Sequence, residues 1–134
     1  MTYPSPDTGT SDQVTRLLRD LVDQMREQIR DLGVMRVDAE TRERDPDLVD
    51  WCDSRIDAFR RQTARLELGL SDPAYRAGSD FANALRWYQS LAHAFDIDLS
   101  WSPLEASTLT RINGMHRLAL RIIRLQEGNA AVAS

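Results

Sequence analysis

The stretch "SDQVTRLLRDLVDQMREQIRDLG", Ser11 to Gly33, decides the fold. Val14, Leu18, Leu21 and Met25 follow 4-3-4 steps, Leu32 continues the row, and Leu17 and Ile29 lie beside it. At about 100° per residue these positions share one side of a helix, at nearly heptad spacing. Ser11 suits the N-cap, and Gly33 suits the residue just past the last turn. The expectation is an amphipathic helix from Ser11 to Leu32.

Three further segments repeat this pattern. Asp45-Pro46 reads as a cap followed by the favoured first-turn proline, with Val49, Cys52, Ile56, Phe59, Thr63 and Leu66 on one face and an end near Gly69. A third helix starts near Asp72-Pro73, or restarts at Ser79-Asp80, and runs to about Phe95. Its inner face is Phe81, Ala84, Leu85, Tyr88, Leu91, Ala92 and Phe95. The fourth opens with "SPLE": Ser102 as N-cap, Pro103 behind it and Glu105 closing a capping box. It runs to about Glu127, before Gly128. The connection from Val34 to Arg44, polar apart from Val34, Met35 and Val37, is expected as a loop or short extended segment.

Four helices of matched length with short connections predict an all-α antiparallel four-helix bundle. The domain spans 11–128, between a disordered arm at 1–10 and a disordered tail at 129–134. The 134 residues suffice for one core without disulfides or metals.

Composition narrows the function classes. One cysteine, Cys52, excludes an internal disulfide and a Cys-rich metal site, and two histidines make a zinc site improbable, so no cofactor is expected. No apolar run is long enough to span a membrane, and the first ten residues lack a signal-peptide pattern. A cytoplasmic protein is the expectation. A net charge of −4 argues against coating nucleic acid non-specifically. Yet charge is uneven: residues 101–134 hold four Arg and two acids, net +2, and residues 1–100 hold 13 Arg and 19 acids, net −6. All 17 basic residues are Arg, the side chain suited to forked contacts with phosphate or carboxylate.

The chemistry-bearing residues are few. Asp47, Asp50, Asp53 and Asp57 could hold Mg²⁺ on a helix, but Asp50 and Asp57 point away from the apolar face and read as solvated. Asp20, Asp23 and Glu27, interleaved with Arg19, Arg26 and Arg30, read the same way. Cys52 reads as a small buried thiol. Trp51, Trp87 and Trp101 read as core edges or interface anchors. Arg111-x₄-His116 resembles the helical Arg-x₄₋₆-His of HEPN-type ribonucleases, as does Arg86-x₆-His93. That resemblance implies RNA cleavage by Arg111 and His116. The family's polar residue after the Arg is replaced here by Ile112 and Trp87. On geometry alone His116 sits among Leu109, Ile112, Ala119 and Ile123, as a core histidine, and His93 is solvated.

Two blocks carry another resemblance. "DPDLVDWCDSRIDAFRRQTARLELGLSDPAYR", 45–76, and "ALRWYQSLAHAFDIDLSWSPLEASTLTRI", 84–112, resemble phage small terminase subunits, with the two blocks in swapped order. This implies a ring-forming, DNA-recognising packaging subunit without catalysis of its own.

The last helix, "RINGMHRLALRIIRL", carries the functional expectation. Leu118 and Leu125 are expected roughly opposite its core face, joined by Leu104, with Arg117, Arg121 and Arg124 as a stripe between the two faces. A second apolar face points to a neighbour, either the chain's own Val34–Arg44 connection or N-terminal arm folded over it, or a second copy or partner. The sequence therefore predicts a non-enzymatic assembly protein that self-associates or binds a partner through this helix, with nucleic acid as an alternative occupant of the Arg stripe.

Overall fold

The computed structural model describes residues 6–87 and 106–133. The protein is all-α: every described element is helical, and there is no strand among the described residues. Helix α1 spans Pro6–Asp38, α2 spans Pro46–Ser71, α3 is described over 79–87, and α4 spans Ala106–Ala133.

The face expected for α1 is the buried one. Val14, Leu18, Leu21, Met25 and Leu32 are all buried, with Val22 added. Its ends differ from expectation. The helix starts at Pro6, so Ser11 lies inside it, where its carbonyl accepts from Thr15 Oγ1 at 2.9 Å. Gly33 does not stop it. The expected loop from Val34 to Arg44 is instead helix to Asp38 and then a wider π-helical turn over Ala39–Glu43. Packing against α2 carries the helix on. Leu32, Met35 and Ala39 continue the inward face in steps of three and four, and Ala39 is fully buried. Arg36 pairs with Glu40 at 2.9 Å one turn on, which supports the added turns.

The chain reverses at Arg44, whose left-handed backbone (φ 49°, ψ 47°) is unusual for a side chain of this size. The Ala39 carbonyl accepts from the amides of both Arg44 and Asp45, closing the turn. Asp45 then caps α2 as expected, its carboxylate accepting from Leu48 N at 3.2 Å ahead of Pro46. The buried face of α2 is Leu48, Cys52, Ile56, Phe59, Thr63 and Leu66, close to expectation, with Leu48 deeper than Val49. The helix continues past Gly69 to Ser71. A 3₁₀ turn over Pro73–Ala77 follows, and helix resumes at 79, which selects the restart at Ser79-Asp80. Phe81, Ala84 and Leu85 are buried as expected. Tyr88, Leu91, Ala92, His93, Phe95, Trp101 and the "SPLE" cap with Leu104 lie outside the described residues.

Helix α4 is shifted in phase from the expected face. Its buried residues are Ile112, Met115, Ala119 and Ile122, whereas Ile123 and His116 are half-buried at the edge. Met115 holds the place expected for His116, because a flexible thioether fills the space between helices without a polar group to satisfy. The helix also runs beyond Gly128 to Ala133.

Side-chain contacts fix the directions. Arg26 meets Glu67 and Arg36 meets Asp53, both at 2.5 Å, so α2 runs opposite to α1. Arg111 meets Asp31 near the far end of α1, while Gln126 reaches the Arg76 carbonyl at 3.3 Å, beside the start of α1, so α4 also runs opposite to α1. All four helices supply one apolar cluster, from Val14 and Phe59 to Phe81 and Ile122. A satellite of Ala39, Leu48 and Cys52 lies under the α1–α2 turn.

Arg76 ties three of these elements together. Its Nε donates to the Gly69 carbonyl at 2.6 Å, Nη2 to Thr15 Oγ1 at 2.9 Å and Nη1 to the Ser11 carbonyl at 3.4 Å. Burial pushes its pKa down, yet the guanidinium stays charged. The fork spans acceptors that an ammonium cannot reach together. Arg76→Lys is therefore expected to lose about 1–2 kcal/mol of stability in urea titration. A lysine variant as stable as the parent would show that the fork is idle.

Candidate protein interface

Each candidate residue can now be placed on the helices. Arg111 is turned toward α1, where its guanidinium donates to Asp31 and, at 3.3 Å, to Gln28 Oε1, with Glu27 3.8 Å from Nε. It joins α4 to α1. His116 stands five residues on, about 140° around the helix at 100° per residue, on the opposite edge of the core face. The spacing that resembles a ribonuclease pair is thus used, on its Arg side, by an interhelical ion-pair cluster. Gln28 Nε2 is buried beside this cluster without a hydrogen-bond partner among the described residues, a local cost of the α1–α4 seam.

The aspartates of α2 face outward: Asp47, Asp50, Asp53 and Asp57 are exposed. Asp53 is occupied by Arg36, and it holds that guanidinium's pKa up, through the hydrogen bond first and its charge second. Among the described residues no group of three His, Cys, Asp or Glu side chains is placed to hold a metal ion. An open cleft of about 320 Å³ lies at the α1–α2 turn, lined in part by Arg36, Glu40, Arg44, Asp45 and Asp50. Its charges are mixed, and three of those five side chains are acids.

Cys52 is fully buried, and burial pushes its thiol up, with the Asp53 charge adding to the effect. The folded protein thus holds the thiol proton more tightly than the unfolded chain. The stabilisation is whole below the ordinary thiol range and fades as pH rises through it. A thiol reagent at neutral pH is expected to label native Cys52 no faster than the chain unfolds. Rapid labelling of the native protein would contradict this burial.

The outward side of α4 is different in kind. Arg117, Arg121 and Arg124 are all exposed and fall within about 60° of one another around the helix. Among the described residues no carboxylate lies within ion-pair distance of any of them. Leu118 and Leu125 do not project opposite the core, as expected from the wheel. They are half-buried and pack on the core cluster, along the seam with α1. The phase shift to Met115 and Ile122 turns them inward. Leu104 lies outside the described residues. Beyond the seam, α1 presents Asp20, Asp23 and Glu27, all exposed.

Among the described helices none is long and apolar enough to cross a membrane. The fold and this face define a class, a small all-α domain with a basic strip on its last helix and mixed charges along its first. Set against protein-family models, curated proteins and solved structures, the chain matches none.

Proposed function

We propose that this is a non-enzymatic helical assembly protein that binds a protein partner, or a second copy of itself, through α4. The observation that carries the reading is the row Arg117, Arg121 and Arg124, exposed and with no carboxylate at ion-pair distance among the described residues, beside half-exposed Leu118 and Leu125. Arginine on a rigid helix offers forked donors, and a partly apolar neighbour adds area to exclude water. The candidate catalytic arginine, Arg111, is engaged within the fold. We further infer an antiparallel four-helix bundle, supported by α2 and α4 each running opposite to α1 and by Phe81, Ala84 and Leu85 entering the same core. The proposed compartment is the cytoplasm, in keeping with a single buried, unpaired thiol.

A photo-crosslinking residue at Arg121, with exposed Arg60 on α2 as control, tests the binding surface in cells. Adducts from position 121 and not from 60 support it. No adduct at 121, or equal yields at both, overturns it. Tight, salt-sensitive binding of duplex DNA that is lost in Arg117→Glu/Arg121→Glu would instead favour a DNA-packaging subunit of the small terminase kind.

A further inference from the structure

We infer that the cleft at the α1–α2 turn binds a small zwitterion, an α-amino acid with an apolar side chain, whose carboxylate is held by Arg44 and whose ammonium is held by Asp50. The site is built from α1, α2 and the turn between them, so it does not depend on the binding role of α4.

The backbone at Arg44 is the first observation. Among the described residues Arg44 is the one non-glycine residue with a positive φ. A left-handed position at a helix end costs a residue with a side chain free energy that glycine avoids. Nothing in the fold offsets that cost. The Arg44 side chain is exposed and has no hydrogen-bond or ion-pair partner among the described residues. It also closes the π-helical turn Ala39–Glu43, a wider turn of the kind that recurs at functional sites. An arginine kept where glycine fits better, and idle within its own chain, points to a use outside it.

The cleft is the second observation. Its volume, about 320 Å³, falls in the range of small-molecule sites. Arg44 and Asp50 both line it, with Pro46 and half-buried Val49 as apolar wall. The other charges on the cleft are already matched. Arg36 meets Glu40 at 2.9 Å and Asp53 at 2.5 Å. Asp45 accepts from Leu48 N, so the N-terminus of α2 is capped from within. Arg44 and Asp50 are left over, with opposite signs, and Asp50 likewise has no basic partner among the described residues.

Those signs select the ligand. A plain anion drawn to Arg44 would meet Glu40, Asp45 and Asp50 on the same cleft, and a plain cation drawn to Asp50 would meet Arg36 and Arg44. A zwitterion satisfies both groups at once. The guanidinium fork takes a carboxylate through paired donors, and the Asp50 carboxylate accepts from an ammonium, both as charge-assisted hydrogen bonds. An aliphatic side chain then covers Val49 and Pro46 and removes apolar surface from water.

An NMR titration with L-leucine tests the site. Isocaproate, which lacks the ammonium, and isopentylamine, which lacks the carboxylate, are the controls. Leucine is expected to shift the amides of Glu40, Val49 and Asp50, and to bind about tenfold or more tighter than either control. Arg44→Gln should weaken leucine about tenfold and leave isopentylamine unchanged. Asp50→Asn should weaken leucine by a similar factor and leave isocaproate unchanged. Arg44→Gly separates the site from the scaffold: it should melt a few degrees above the parent while leucine binding falls as in Arg44→Gln. A structural arginine would not move stability and binding in opposite directions. Leucine that shifts no amide at high millimolar concentration overturns the inference, as do controls that bind as tightly as leucine, or an Arg44→Gly variant that binds leucine as the parent does.

Discussion

Replacing Phe59 by alanine is expected to lower the unfolding free energy by about 3–5 kcal/mol, the range for emptying a buried aromatic site. Phe59 is fully buried on α2 and belongs to the cluster that all four helices share. Its ring meets Trp87 of α3 edge-on, with centroids 5.5 Å apart and planes at 89°. Such a pair adds about 0.5–1.5 kcal/mol to the burial of the rings. The backbone around it is also committed: the Phe59 carbonyl accepts from Thr63 Oγ1 at 2.6 Å, and that hydroxyl lies 3.7 Å from Met25 Sδ on α1. Neighbours held this way close poorly around a void, so the cavity persists. Urea titration followed by circular dichroism should show an earlier midpoint with an unchanged slope. Phe59→Leu should lose distinctly less. A loss below about 1.5 kcal/mol for the alanine variant would mean that this region is not the centre of the core.

How legible this was from sequence depends on the element. The inward face of α1 is written in its 4-3-4 spacing because burial there is decided within one helix. The end of that helix is not. Gly33 reads as a terminator, but no glycine among the described residues has a positive φ, and the reversal falls on Arg44, a residue with no turn signature. What carries the chain past Gly33 is the burial of Ala39 against Leu48 and Cys52, a tertiary contact that outweighs the weak local preference of one glycine. The phase of α4 failed for a related reason. Ile112, Ala119 and Ile123 allow two neighbouring core faces, and only packing against α1 chooses the one with Met115 and Ile122.

The interface residues divide similarly. The Arg117, Arg121 and Arg124 stripe is legible because exposure follows from polarity and spacing. The role of Arg111 is not, since its carboxylate partners lie 80 or more residues earlier in the chain and sequence offers no reason to join them. Arg76 carries no signal at all. It sits in a turn, and its acceptors are backbone carbonyls and one hydroxyl, groups that every sequence has in abundance.

The second large effect is expected at Gly69, where a side chain has no room. A methyl built there would stand 2.6 Å from Phe81 Cε2 and 3.0 Å from Cδ2. The ring cannot simply swing away. Phe81 is fully buried, and Tyr75 packs against it edge-on at 6.1 Å, itself held by a 2.6 Å hydrogen bond from its hydroxyl to Asp80. The Gly69 backbone is fixed too, because its carbonyl accepts from Arg76. Two effects oppose each other in Gly69→Ala. The helix gains about 1 kcal/mol in propensity, whereas overpacking costs about 1–3 kcal/mol. With the ring this close, overpacking wins and the alanine variant is less stable; Gly69→Val, branched at the point of contact, should lose about 3 kcal/mol. Phe81→Leu separates the two effects. In that background the planar ring is gone, the clash is relieved, and Gly69→Ala should become neutral or stabilising, a reversal of sign measurable as coupling in a double-mutant cycle. A Gly69→Ala variant that melts higher than the parent with Phe81 intact would show that α2 and α3 are not in this contact.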